Sequence, residues 1–408
     1  MLPLCCCGAR SVGSELSVVQ LDHAAPAWRA RRKQPPMDPM PSSLTTAYPA
    51  PSQRLPLVDA FKAVASQLIV LHHLAFYGPL SDGAYLLAPD LVAWFSQDAR
   101  MAVQVFLVIA GFLAARSLAP EAVLVTAKPL TQLWQRYVRV ALPYIAALLV
   151  AMACTQLAGH WMQHDSLPDP PTLWQFVSHV LLLQSVLDMD ALSAGVWYVA
   201  IDFQLFALLL LLLWAARRWP DAPSTRRRRL ARALVWGLGL ASLFYFNRDA
   251  GWDNWALYFF GAYGLGALAY WFCQLPSGRA RRWRMRALVL LTLLALVFDF
   301  RARIAVALTV AVVLAWSLRK GWLYSWPRSP VLAYLGKISY SVFLLNFPVA
   351  LVVNAWFTRY GSDDVWVQTA GVLVAWLACN LAGAAFYHLV EQKLSRLGRP
   401  KTARVLPT

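Results

Sequence analysis

A chain of 408 residues that is 59% hydrophobic and only 14% charged is not an ordinary soluble protein, since soluble domains carry about 25% charged residues. Its formal charge of +17 would suit a nucleic-acid binder. The arginine runs "RRRRL" (226–230) and "RARRWRM" (279–285) lie between apolar stretches, however, and read as positive-inside loops, so nucleic acid is excluded as a partner.

From the N-terminus, residues 1–36 lack the basic n-region and long apolar core of a signal peptide, and Met37 or Met40 offers an alternative start. Residues 1–56 read as a basic, Pro-rich cytosolic tail expected to be poorly ordered. Cys5, Cys6 and Cys7 there have no spaced partner ligands, and Cys154, Cys273 and Cys379 fall in or near apolar runs. Neither a metal site nor a disulfide framework follows.

Apolar stretches then fall at about 60–78, 94–116, 137–158, 195–216, 230–247, 254–273, 286–299, 303–319, 331–356 and 366–390. The fold class is therefore all-α, a polytopic membrane bundle of about ten transmembrane helices. "FDFRAR" (298–303) splits the 286–319 region in two, with Asp299 and Arg301 at an outer turn. The run 174–187 is too short to cross, and treating it as re-entrant or surface-lying keeps basic loops on one side. Both termini are then cytosolic. The membrane domain is 57–394, followed by a basic cytosolic tail at 395–408.

The first span, "LVDAFKAVASQLIVLHHLAFYG" (57–78), holds ionisable groups that cost about 2.5–3.5 kcal/mol each in a bilayer unless they face protein or water. Lys62 and His73 lie eleven residues apart, about three turns plus 20°, and so share one helix face. Asp59, Ser66 and Tyr77 fall near that face, whereas His72 points elsewhere. This polar stripe belongs in a bundle interior. A transporter or flippase could use such a stripe as a substrate or proton path, although no internal repeat is visible.

Six motifs in order carry a resemblance. Lys62 precedes His73 by ten intervening residues. "VFLVIAGFL" (105–113) has Ala110 where Ser is usual. "WQRYVRVALP" (134–143) is a basic cluster ending in Pro. "WYVAIDFQLF" (197–206) has Asp202 for Glu, "YLGKISYSVFLLNFP" (334–348) has Asn346 for His, and "FYHLVEQKL" (386–394) is a closing acidic helix. Together they resemble the acyltransferase-3 family of integral-membrane O-acyltransferases. The resemblance runs from about 57 to 394. It implies transfer of an acyl group, often acetyl from acetyl-CoA, to a hydroxyl of a glycan, lipid-linked sugar or small molecule. Acyl-CoA, that acceptor and membrane lipids are the partners implied, in a bacterial cell inner membrane. A scaffold that has lost activity is a third reading that Asp202 and Asn346 permit.

Roles follow on these terms. His73 is the catalytic base, because imidazole titrates near neutrality, with His72 the alternative. Asp202 is expected to orient His73 or stabilise its imidazolium. Lys62 is about 16 Å along the axis from His73, too far for a direct partner but placed to bind the far end of acyl-CoA. It can equally pair with Asp59. Arg136 and Arg139 read as phosphate ligands for the cofactor or as positive-inside charges, and Pro143 as a kink or helix start. Asn346 and Arg100 are expected to contact the acceptor, Arg100 alternatively pairing with Asp202.

Overall fold

The computed structural model describes residues 54–219 and 223–397, so the tail readings at 1–53 and 398–408 lie outside the described residues. Every element among the described residues is helical. In chain order α1 is Pro56–Phe76, and two short helices, α2 (Leu80–Leu87) and α3 (Pro89–Gln97), lead through a 3-10 turn at Ala99–Ala102 into α4 (Val103–Leu118). There follow α5 (Pro129–Gly159), α6 (Leu173–Val180), α7 (Trp197–Arg218), α8 (Ser224–Phe244), α9 (Ala256–Cys273), α10 (Arg279–Phe298) and α11 (Ala302–Lys320). The chain continues with α12 (Trp322–Ser325), α13 (Pro330–Tyr360) and α14 (Val365–Phe386), then a π-helical turn at Tyr387–Glu391 and α15 (Gln392–Leu394).

Nine helices among the described residues are long and apolar enough to cross a membrane. They coincide with nine of the ten expected spans. The remaining one, 286–299, is the apolar part of α10, a 20-residue helix whose first eight positions hold five arginines, Arg279, Arg281, Arg282, Arg284 and Arg286. That charge shortens its apolar length. The break between α10 and α11 falls at Asp299–Arg301, as "FDFRAR" suggests. The 174–187 run is helical only through Val180, eight residues that span about 12 Å and cannot cross.

The core is built around α9, which is buried along nearly its whole length. Gly111 on α4 and Gly266 on α9 let these two backbones touch. A Cβ on Gly111 would lie 1.9 Å from the Tyr263 carbonyl oxygen, and one on Gly266 would lie 2.0 Å from that of Val108. Gly336 does the same for α13 against Asp59 of α1. Without lipid-excluding hydrophobicity between membrane helices, such close small-residue contacts are what holds them. Gln67 of α1 and Asn380 of α14 exchange amide hydrogen bonds of 2.7 and 3.2 Å, and Trp376 Nε1 donates to Gln67 Oε1 at 2.9 Å. The side of α1 facing away from this clamp carries Lys62 and His73 into the bundle.

Candidate active site

Helix α1 is unbroken from Pro56 to Phe76, so Lys62 and His73 stay about 16 Å apart at opposite ends of one interior stripe. His73 is 5% exposed and Asn346 1%. The Asn346 side-chain nitrogen donates to the Val342 and Phe343 carbonyl oxygens at 3.1 and 2.7 Å. Its Oδ1 therefore faces His73 and accepts from Nδ1–H in a short hydrogen bond. An amide oxygen can only accept. The hydrogen of neutral His73 is thereby fixed on Nδ1, and Nε2 keeps the ring's free lone pair.

The surroundings of His73 are aromatic. Tyr77 and Phe347 meet its ring edge-on at 5.6 and 6.3 Å between centroids. Gly195, at φ +80°, packs on the ring carbon between the two nitrogens, where an added Cβ would be 3.2 Å from Cε1. Phe343 flanks the same point and meets Tyr198 at 5.4 Å, and Tyr198 lies one turn before Asp202 on α7. An aromatic column thus links the histidine to the charged end of the stripe.

At that end Asp202 forms a salt bridge with Arg136 of α5, whose guanidinium also lies 5.3 Å over the Phe206 ring. This corrects the expected pairing of Asp202 with His73. A buried carboxylate needs a counter-charge, and α5 supplies one, while His73 Nδ1 is already satisfied by the Asn346 amide. Asn346, expected on the acceptor, is instead the residue that orients the imidazole. Arg136 is correspondingly committed to Asp202 and is not a free phosphate ligand. Arg100 is exposed in the 3-10 turn near His72 and does not pair with Asp202. Asp59 binds Arg54 at 3.0 Å in place of Lys62. His72 turns outward, its Nδ1–H donating to the Phe95 carbonyl oxygen at 3.2 Å.

Lys62, Arg136 and Arg139 do converge. Lys62 lies within electrostatic reach of both arginines and of Asp59 and Asp202. The helix α5 continues through Pro143, which lacks the N–H that would bond the Arg139 carbonyl, so the expected kink or start leaves the helix intact. One member of the cluster escaped sequence reasoning. Glu391 accepts from Ser341 Oγ at 2.5 Å and acts electrostatically on Arg139 and Lys62. The π-helical turn Tyr387–Glu391 carries it, and such turns often re-aim side chains at functional sites. The acidic closing motif was its signal. Gly195 was missed too, and only its position two residues before "WYVAIDFQLF" hinted at it.

A family model described as an acyltransferase domain matches residues 56–384, four-fifths of the chain and all of the histidine site. The chain belongs to the acyltransferase-3 family. No curated protein and no solved structure gives a match. With nine long apolar helices among the described residues and this domain, the protein is an integral membrane acyltransferase. The acyltransferase-3 match stops before Glu391, so the π-turn carboxylate lies beyond the matched region.

Proposed function

We propose that this acyltransferase moves an acyl group, acetyl in the first instance, from acyl-CoA to a hydroxyl of a glycan or lipid-linked sugar, with His73 as general base. The observation that carries the reading is the His73–Asn346 pair, which leaves Nε2 free on the inner face of α1. In the step, His73 Nε2 takes the acceptor's hydroxyl proton as that oxygen bonds to the thioester carbonyl carbon. The carbon–sulfur bond breaks, and the departing thiolate recovers the proton from the imidazolium. The products are the acyl ester and free CoA. Asn346 Oδ1 holds the imidazolium, as the amide does in Cys-His-Asn proteases.

Lys62 and Arg139 hold the phosphates of the donor, with the Arg136–Asp202 pair as the wall beside them. The separation of about 16 Å suits a long donor anchored at its charged end with its thioester at the histidine. Arg100, on the other side, is placed to meet the acceptor. Ten crossings with both termini cytosolic, in a bacterial inner membrane, would bring acyl-CoA to the Lys62 end.

The test is CoA release by purified protein given acetyl-CoA and a glycan extract. His73→Ala should abolish release while His72→Ala retains it. Equal loss in both, or undiminished release in His73→Ala, would overturn the assignment of the base.

A further inference from the structure

We propose that the groove between α10 and α11 is a binding site for an anionic phospholipid, with Arg286 and Arg319 on its phosphate and the apolar groove on its acyl chain. The groove has a volume of about 440 Å³. Its walls come from one face of each helix. On α10, Arg286 is followed three and four residues later by Val289 and Leu290; on α11, Val312 and Trp316 precede Arg319 by seven and three. These spacings put each set on a single stripe. Three residues join the helices, so they run antiparallel, and both guanidiniums fall at the same end. From Arg319 to Val312 the groove runs about 10 Å along the axis.

Three observations select the occupant. First, Arg286 and Arg319 join none of the salt bridges among the described residues. Arg281, earlier on the same helix as Arg286, is by contrast engaged, donating to the Leu275 carbonyl oxygen at 3.3 Å. Second, the groove faces outward, with Leu290 58% and Trp316 46% exposed, where lipid surrounds a membrane-spanning helix. Third, beyond the two guanidiniums and the indole its lining offers no hydrogen-bonding side chain. A nucleotide or a pantetheine amide would be left unsatisfied there, whereas a phosphate diester with a hydrocarbon tail would not. Guanidinium pairs grip phosphate in fork geometry, and Trp favours the headgroup level. This inference does not depend on the identity of the base or the acceptor.

Native mass spectrometry of the full chain in detergent, with phosphatidylglycerol or phosphatidylcholine added, tests it. Wild type should retain phosphatidylglycerol preferentially. Arg286→Gln with Arg319→Gln should reduce that retention about thirty-fold, the scale of two basic side chains lost from an anionic headgroup. The charge-matched control, Arg282→Gln with Lys320→Gln, alters the same ends of the same helices but not the groove, and should retain the lipid. Val312→Phe fills the groove, keeps both arginines, and should also lose it. Equal loss in the control would mean diffuse surface charge and overturn the site. So would equal retention of both lipids, retention by Val312→Phe, or displacement of the lipid by millimolar inorganic phosphate.

Discussion

Asn346 accepts the Nδ1 hydrogen of His73 and spends its own amide hydrogens on two carbonyls of its helix, so neither partner can turn without breaking a bond. Asn346→Ala should therefore free the ring to change tautomer. We expect CoA release to fall about 10²-fold, within the range for general-base catalysis, with the KM for acyl-CoA little changed. Steady-state kinetics separate the two parameters. A rise in KM with unchanged kcat would show that Asn346 serves binding instead.

The Arg136–Asp202 pair makes a different prediction. Removing one partner of a buried pair strands the other's charge, which typically costs 3–5 kcal/mol. Arg136 keeps some exposure, so about 3 kcal/mol is expected for Asp202→Ala. Asp202→Leu combined with Arg136→Met should recover most of it. Thermal unfolding in detergent reads both, and additive losses in the double variant would exclude a coupled pair.

At Gly195 backbone and space act together. An L-residue at φ +80° is strained by about 1–2 kcal/mol, and its Cβ would press on His73 Cε1. Gly195→Ala should lower kcat more than it lowers thermal stability, and Gly278→Ala, where an added Cβ meets open space, should do neither. Unchanged turnover in Gly195→Ala would separate this loop from the histidine.

His179 makes a pH prediction for the segment that delivers Gly195. His179 on α6 is fully buried, donates Nδ1–H to the Gln175 carbonyl oxygen at 2.7 Å and accepts the Leu192 N–H on Nε2 at 3.2 Å. Burial pushes its pKa below the usual value. The unfolded segment thus binds the proton more readily, and local stability falls as pH drops below about 6.5. Protection factors over residues 181–196, corrected for the intrinsic pH dependence of amide exchange, should fall between pH 7.5 and 5.5, and less so in His179→Gln. Protection that is flat with pH would rule the switch out.

Much of this was legible in the chain itself. The 11-residue interval from Lys62 to His73 is a local helical quantity, so the polar stripe could be read directly. The motif glycines Gly111 and Gly336 also had a signal, though their partners on α9 and α1 did not. What escaped was partner choice across helices. Whether Asp202 meets His73 or Arg136 depends on the rotation of α7 against α5, and no spacing within one helix encodes that. The hydrogen on His73 Nδ1 likewise depends on an amide 273 residues away. Within the membrane domain α10 was the hardest span to read, because arginines and apolar residues share one helix.

The charged end of the stripe gathers four cations, Arg54, Lys62, Arg136 and Arg139, around three carboxylates, Asp59, Asp202 and Glu391. Four minus three leaves a single positive charge. A site of this kind does not repel itself, and it carries its own counter-ions in its walls. On the proposed function, a donor phosphate docking there would trade places with a carboxylate, and little salt would be released to bulk water. Donor affinity should then depend on ionic strength far less than a count of basic residues suggests, because the exchange takes place inside the protein.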